Sequence, residues 1–555
     1  MTDSNTSICG GEAIIRAAMA NGVDTIFGIP GAQIYPMFDA MQRLGVNTIT
    51  ARHEQGAAYM AMGYAKATGK PGTFAVVPGP GVLNTTAALC TAMGGNSPVL
   101  CLTGQVPSAF MGSGRGHLHE LSDQTGTLKT LIKDAIHISD PAQTSRLMND
   151  AFSTMLSGRP GPVSVEMCWD TMAKPQKGIH IDAGIESVQQ PALNPDQIEA
   201  AVKALSAARF PMIMCGGGAQ HACEEVLTLA EMLQAPVTAF RSGRGVVSED
   251  HPLGVSSVAA RELFDKVDVL VGVGSRLEMI YMRWRDMGFY ERKPEGGPTL
   301  IRIDIDPLEM QRFEPDIPVV ADAATACRAL ANALQSRVSV DSHRVEVIAA
   351  AKAKTRAAIE KVQPQMAYLD VIREVLPRDG FFVPELSQMG FTSYFGMPIY
   401  EPRTYVTEGY QGTLGYGFQT ALGVKVACPD RAVVSVNGDG GFMFGVQELA
   451  TAAAHNIGLI TLVFNNNAYG NVRRDQMQGY GGRLNGSDLV NPDMVKLAES
   501  FGVDAYRVNT PNALKATLAK AIDNDRPALI EIPVERGSEI APWEFIHMSD
   551  KPWSQ

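Results

Sequence analysis

Short apolar runs rich in Val, Ile and Leu alternate with longer Ala- and Leu-bearing stretches of helical periodicity along most of the chain. The runs Thr25–Gly28, Thr73–Val77, Val99–Thr103 and Val163–Glu166 are apolar at consecutive positions, as expected of strands covered on both faces. Glycine turns and helical stretches follow them, which is the pattern of a parallel sheet wrapped by helices. A second block carries runs at Pro211–Cys215, Val237–Phe240, Val267–Val273, Leu300–Ile305 and Ile317–Val320, and a third carries Ala432–Val436 and Leu459–Phe464. Gln189, Gln190 and Pro191 break a polar linker over 175–195, and an Ala/Lys-rich helix, Val347–Val362, leads from the second block to the third. The expected fold class is α/β, with three doubly wound parallel-sheet domains at 1–174, 192–335 and 365–542. A chain of 555 residues is too long for one core, which agrees with that division.

Composition narrows the partners. The chain is 45% hydrophobic and 19% charged, with a net charge of −11 and no basic stripe, so a nucleic-acid or anionic-membrane surface lacks electrostatic support. No apolar run approaches the length that spans a bilayer, and Met1–Ser7 has no charged-then-apolar leader pattern; a cytoplasmic protein with a small-molecule substrate is expected. The eight cysteines form no C-x-x-C pair and sit mostly in apolar runs, as buried thiols of a reducing compartment do.

Blocks one and three share a layout. Met62–Lys66 leads into Phe74–Val77 and the turn Gly79-Pro80-Gly81, while Leu422–Val426 leads into Ala432–Val436 and Gly438-Asp439-Gly440. In the second block Gly216-Gly217-Gly218 lacks the G-x-G-x-x-G spacing and reads as a strand-to-helix turn.

The strongest chemical signal runs from Gly438-Asp439-Gly440 to Asn466, 27 positions later. Singly, these are an ordinary turn and a polar loop. Together they place a carboxylate and an amide oxygen at neighbouring strand ends, with glycines that admit a diphosphate and a helix N-terminus near Gly441–Val446. Mg²⁺ takes such hard oxygen ligands together with phosphate oxygens and water. Here the chain resembles the thiamine diphosphate enzyme family, whose metal motif opens with Gly-Asp-Gly and closes at Asn-Asn. The resemblance implies that Asp439 and Asn466 are side-chain ligands of Mg²⁺ and that Ala468 adds its main-chain oxygen. Gly438, Gly440 and Gly441 would lie along the diphosphate.

A second segment, Arg52-His53-Glu54-Gln55-Gly56, is by itself only a helix start bearing an acid. In the resembling family the glutamate of this motif bonds the pyrimidine ring nitrogen and promotes the tautomer that takes up the thiazolium proton, which implies that Glu54 is catalytic. Gly412-Thr413-Leu414-Gly415 matches the segment that bends the cofactor, with Leu414 wedged between its rings and the Gly412 carbonyl facing the pyrimidine amino group. Ser387 and Gln388 match the segment lying along the diphosphate. The order of glutamate-bearing and metal-bearing blocks is that of the acetolactate synthase and pyruvate decarboxylase branch. Its sites lie between subunits, so a homodimer or homotetramer is implied.

Several positions differ from true acetolactate synthases. His119 stands where synthases and benzaldehyde lyase have glutamine, and is a candidate proton shuttle. Gln33 aligns with a substrate-facing His or Asn and is a candidate for orienting a carboxylate or hydroxyl. Asp475 takes the place of an acceptor-pocket tryptophan. Arg276 keeps the first arginine of the flavin-associated segment but Ile280 replaces the second, which weighs against a bound FAD. The expected activity is decarboxylation or carboligation of a small 2-oxo acid. The alternatives are a 2-hydroxy ketone lyase, an acyl-transfer enzyme acting on an acyl-CoA or sulfonated aldehyde, and a non-catalytic thiamine-holding regulatory module; Glu54 and the full metal set speak against the last.

Overall fold

The computed structural model describes residues 7–284, 287–289, 292–335, 337, 341 and 343–549. Of the polar lead Met1–Ser7, only Ser7 falls within them. Three all-parallel sheets dominate. The first contains β1 (Thr25–Gly28), β2 (Asn47–Thr50), β3 (Gly72–Val76), β4 (Val99–Gln105), β5 (Asp134–Ile138) and β6 (Val163–Cys168), in the order β2-β1-β3-β4-β6-β5. The second contains β7 (Pro211–Cys215), β8 (Val237–Thr238), β9 (Gly254–Val255), β10 (Val269–Val273), β11 (Thr299–Asp304) and β12 (Ile317–Val320), in the order β9-β8-β7-β10-β11-β12. The third contains β13 (Phe381–Pro384), β14 (Val433–Gly438), β15 (Ile460–Asn465), β16 (Asp504–Arg507) and β17 (Ala528–Pro533), in the order β13-β14-β15-β17-β16. Every residue of β3, β4, β6, β7 and β10 is buried, as continuous apolar runs require. The 175–195 linker carries only Pro175–Gln176 as a strand, pairing antiparallel with Ile8–Cys9.

Blocks one and three meet through two helices, α1 (Glu54–Thr68) and α2 (Pro80–Gly94) having formed in block one. The Ala/Lys-rich stretch forms α3 (His343–Ile359), and block three adds α4 (Gln388–Gly396) and α5 (Tyr416–Ala427). Helix α5 lies against α1 at Gly63 and Gly423. A Cβ on Gly63 would sit 2.0 Å from the Thr420 carbonyl oxygen, and one on Gly423 would sit 1.9 Å from that of Met60. The backbones can approach so closely only because both positions lack a side chain. Ala57, Met60 and Ala61 from α1 and Phe418, Ala421 and Leu422 from α5 belong to one continuous core.

Two sequence expectations need correction. The helix N-terminus expected near Gly441–Val446 lies earlier: beyond β14 the helical turn α6 (Asp439–Phe442) begins at the aspartate itself. Four cysteines are buried (Cys101, Cys168, Cys215 and Cys327), whereas Cys9, Cys90, Cys223 and Cys428 are half-buried; all eight are free thiols. Among the described residues no helix is long and apolar enough to cross a membrane.

Candidate functional site

Parallel pairing sets the geometry of the main site. Gly438 of β14 lies opposite Phe464 of β15, so Asp439 and Asn466 emerge side by side at the carboxyl edge of the sheet. Ser387 and Gln388 follow β13, the other neighbour of β14. Open parallel sheets bind ligands at this edge. Leu386–Met389, Leu414, Gly438–Gly441, Asn466, Ala468, Asn471 and Glu539 line one small pocket of about 80 Å³, so structure unites the separate segments singled out by sequence.

Asp439 is buried and its carboxyl pKa is raised by that burial, against hydrogen bonding led by Asn491, whose Nδ2 donates to Asp439 Oδ2 at 2.6 Å. Asn466 Nδ2 donates to Glu539 Oε2 at 3.1 Å, while its Oδ1 is shut off from solvent and meets no donor. A buried amide oxygen without a donor, on the same strand edge as a desolvated carboxylate, is a donor set that fits a hard cation. Among the described residues no cluster of three His, Cys, Asp or Glu could hold a metal. That agrees with a site in which side chains supply only two ligands and phosphate oxygens complete the shell.

Ser387 caps α4 by accepting from the Gly390 N–H at 3.1 Å, and Gln388 Nε2 donates to Asn471 Oδ1 at 2.7 Å. The loop bearing Leu414 is held from beneath by a residue that sequence reasoning missed. Glu385 is buried, and its two oxygens accept from the Gly415 and Gly417 N–H groups, both at 3.0 Å. Burial pushes its pKa up to about 7, against the pull of those N–H groups. Gly412 and Gly415 have φ of +61° and +83°, a left-handed backbone that favours glycine and turns Leu414 toward the pocket.

The first sheet presents its own carboxyl edge. Glu54 opens α1 and is half-buried, with Oε2 accepting from Asn84 Nδ2 at 3.0 Å. The turn ahead of it is fixed from block three, where Glu448 accepts the N–H groups of Arg52 and His53. Among the described residues, none of block one lines the 80 Å³ pocket of the same chain. His119 and Gln33 do come together, His119 Nδ1 lying 3.0 Å from Gln33 Oε1. Gln33 is fully buried and its Nε2 donates to the Leu118 carbonyl at 3.1 Å. Both ends of its amide are therefore committed to the His119 loop. Glu120 ties that loop down by accepting from the Gly114, Gly116 and His117 N–H groups. Asp475 is exposed, pairs with Arg474 at 2.9 Å and lies outside the pocket.

A larger cavity lies elsewhere. Its volume is about 540 Å³, between Gly216–Gly218, Arg241 and Arg276 of the central block and Lys66 and Arg403 of the flanking blocks, with Asp304 and Asp322 also on its wall. Ile280 is buried in the core and does not line it.

Glu385, Asn491 and Glu539 carry no motif. Each acts by a tertiary contact across 30 or more positions, for which the only sequence signal is an acid or amide beside an apolar strand.

Comparison with known proteins agrees with this edge geometry. Residues 8–127 match the N-terminal TPP binding domain of thiamine pyrophosphate enzymes, residues 198–330 the central domain and residues 386–532 the C-terminal TPP binding domain. A probable acetolactate synthase large subunit of Methanocaldococcus jannaschii is 34% identical over 95% of this chain and 92% of its own length. A probable 2-ketoarginine decarboxylase of Pseudomonas aeruginosa is 32% identical over 95% of this chain and 94% of its own. With three matched domains in order and near-complete coverage by these relatives, the chain belongs to the thiamine pyrophosphate enzyme family, of the acetolactate synthase-like kind.

Proposed function

We propose that this enzyme uses thiamine diphosphate and Mg²⁺ to decarboxylate a small 2-oxo acid, with carboligation of the product to a second carbonyl compound. The observation that carries the reading is the shared edge of Asp439, Ala468 and the unpartnered Asn466 oxygen beside a glycine-lined pocket. When bound, the cofactor would supply a nucleophilic carbon and an electron sink. Asp439, Asn466 and the Ala468 carbonyl would hold the metal, Gly438, Gly440, Gly441, Ser387 and Gln388 would flank the diphosphate, and Leu414 and Gly412 would support the thiamine rings. Glu54 would bond the pyrimidine ring and hold the proton there. His119 moves a proton at the substrate, and Gln33 acts through His119 by fixing its ring, since its amide has no free end for substrate.

The absence of block-one residues from the pocket of their own chain supports a homodimer or homotetramer in which Glu54 serves a neighbouring subunit. We take the three units as 1–174, 192–335 and 365–542 and place the enzyme in the cytoplasm. No redox flavin is needed for this chemistry, and Ile280 adds no charge to the central cavity; the purified protein should show no visible flavin absorbance, and a yellow protein would overturn that reading. The test of function is CO₂ release from ¹³C-labelled pyruvate and a panel of 2-oxo acids, including some with cationic side chains. Release with at least one supports the reading. If the whole panel stays inert while a 2-hydroxy ketone or acyl donor is cleaved, the lyase or acyl-transfer alternative replaces it.

A further inference from the structure

The three consecutive asparagines at the end of β15 are not equivalent. Asn465 is satisfied at both ends of its amide: Nδ2 donates to Glu531 Oε1 at 2.8 Å, and Oδ1 accepts from the Asn467 N–H and from Asn491 Nδ2, both at 3.1 Å. Among the described residues the Asn466 side-chain amide has one partner, Glu539, and its buried Oδ1 has none. An amide can turn over about its terminal torsion at little cost, and only its neighbours decide which end faces a metal. Glu539 Oε2 accepts from the amide nitrogen, so it selects the orientation in which the NH₂ faces Glu539 and the oxygen is turned away from it.

Glu539 is itself held in place. The next residue, Ile540, donates its N–H to the Gln363 carbonyl at 3.0 Å and accepts from Gln365 Nε2 at 2.7 Å. Arg536 reaches back from the same segment to the Asn466 and Asn467 carbonyls at 3.2 and 2.7 Å. The segment 535–540 thus straps the metal loop from outside the matched domain, which ends at 532.

We infer that Glu539 is a positioning residue for the cation: by accepting from Asn466 Nδ2 it holds the amide oxygen toward the site shared with Asp439. The inference rests on the metal site proposed above. Outer partners of metal ligands commonly tune affinity by about 10- to 100-fold.

The experiment is Mn²⁺ binding to the full-length protein with saturating thiamine diphosphate, read from the loss of the free-Mn²⁺ paramagnetic resonance signal. Glu539→Ala should weaken Mn²⁺ by about tenfold or more. Glu539→Gln, which keeps an acceptor oxygen, should stay much closer to wild type. A cycle with Asn466→Asp separates orientation from general damage, because an aspartate at 466 has no NH₂ to hold, and Glu539→Ala should then bring no further loss. Equal Mn²⁺ affinity in wild type and Glu539→Ala overturns the inference, as does an equal loss from Glu539→Ala in the Asn466→Asp background. A wild-type protein that takes up no Mn²⁺ with the cofactor overturns the metal site itself, which is a distinct result.

Discussion

Each proposed catalytic side chain has a partner that limits what it can do. Glu54 bonds Asn84 and opens a helix, so its carboxyl is held at the start of α1. Glu54→Gln should slow C2–H exchange of bound thiamine diphosphate by about 10²-fold or more, measured by quenched-flow proton NMR; unchanged exchange would remove its role. His119 has φ of +65°, an uncommon conformation for a side-chain-bearing residue, and its ring meets Gln33. His119→Ala should lower kcat/KM by about 10²-fold, and Gln33→Ala should add little in that background because it acts through the ring. The sequence made Asp439 and Asn466 legible because both follow buried strands at a recognisable spacing. Glu385 and Glu539 were not legible, since their worth lies in two peptide N–H groups and one amide that folding brings to them.

At the scale of elements, the loop between β13 and α5 is set by one buried acid. Glu385 has its pKa raised from the ordinary 4.5 to about 7, so between those values the folded state holds a proton that the unfolded chain has lost. Its contribution therefore makes stability fall as pH rises from about 4.5 to about 7. Thermal unfolding across that window should show a shallower fall for Glu385→Gln than for wild type. The crossing of α1 and α5 is equally local. Gly63→Val would drive a side chain into the Thr420 carbonyl, and should lower stability by roughly 1–3 kcal/mol or prevent folding, as read by denaturant unfolding. Most central strands were legible from their unbroken apolar runs, although β17, central in the third sheet, was not singled out. Edge strands β2 and β16 were not, because Asn47, Thr50 and Arg507 leave them half-exposed and polar. The helix start expected near Gly441–Val446 falls at Asp439, and α6 stops at Phe442 because Gly440, Gly441 and Gly445 weaken helix propagation there.

For the whole molecule, three sheets and the repeated layout of blocks one and three were readable from strand runs and glycine turns, and α1 and α5 meet where that likeness places them. The central cavity was not readable, since residues from all three blocks build it. Sites shared between subunits predict complementation: Glu54→Gln and Asp439→Ala proteins, each inactive alone, should regain about a quarter of wild-type activity after mixing and reassembly, through hybrid dimers with one intact site. No regain would place Glu54 and Asp439 in the same chain's site. The most direct measurement is a calorimetric titration of thiamine diphosphate into the purified protein with Mg²⁺. The account predicts saturable binding that disappears on chelation of the metal and in Asp439→Ala; a wild-type protein that gives no binding heat at any temperature tried, and retains no cofactor on equilibrium dialysis, would contradict it.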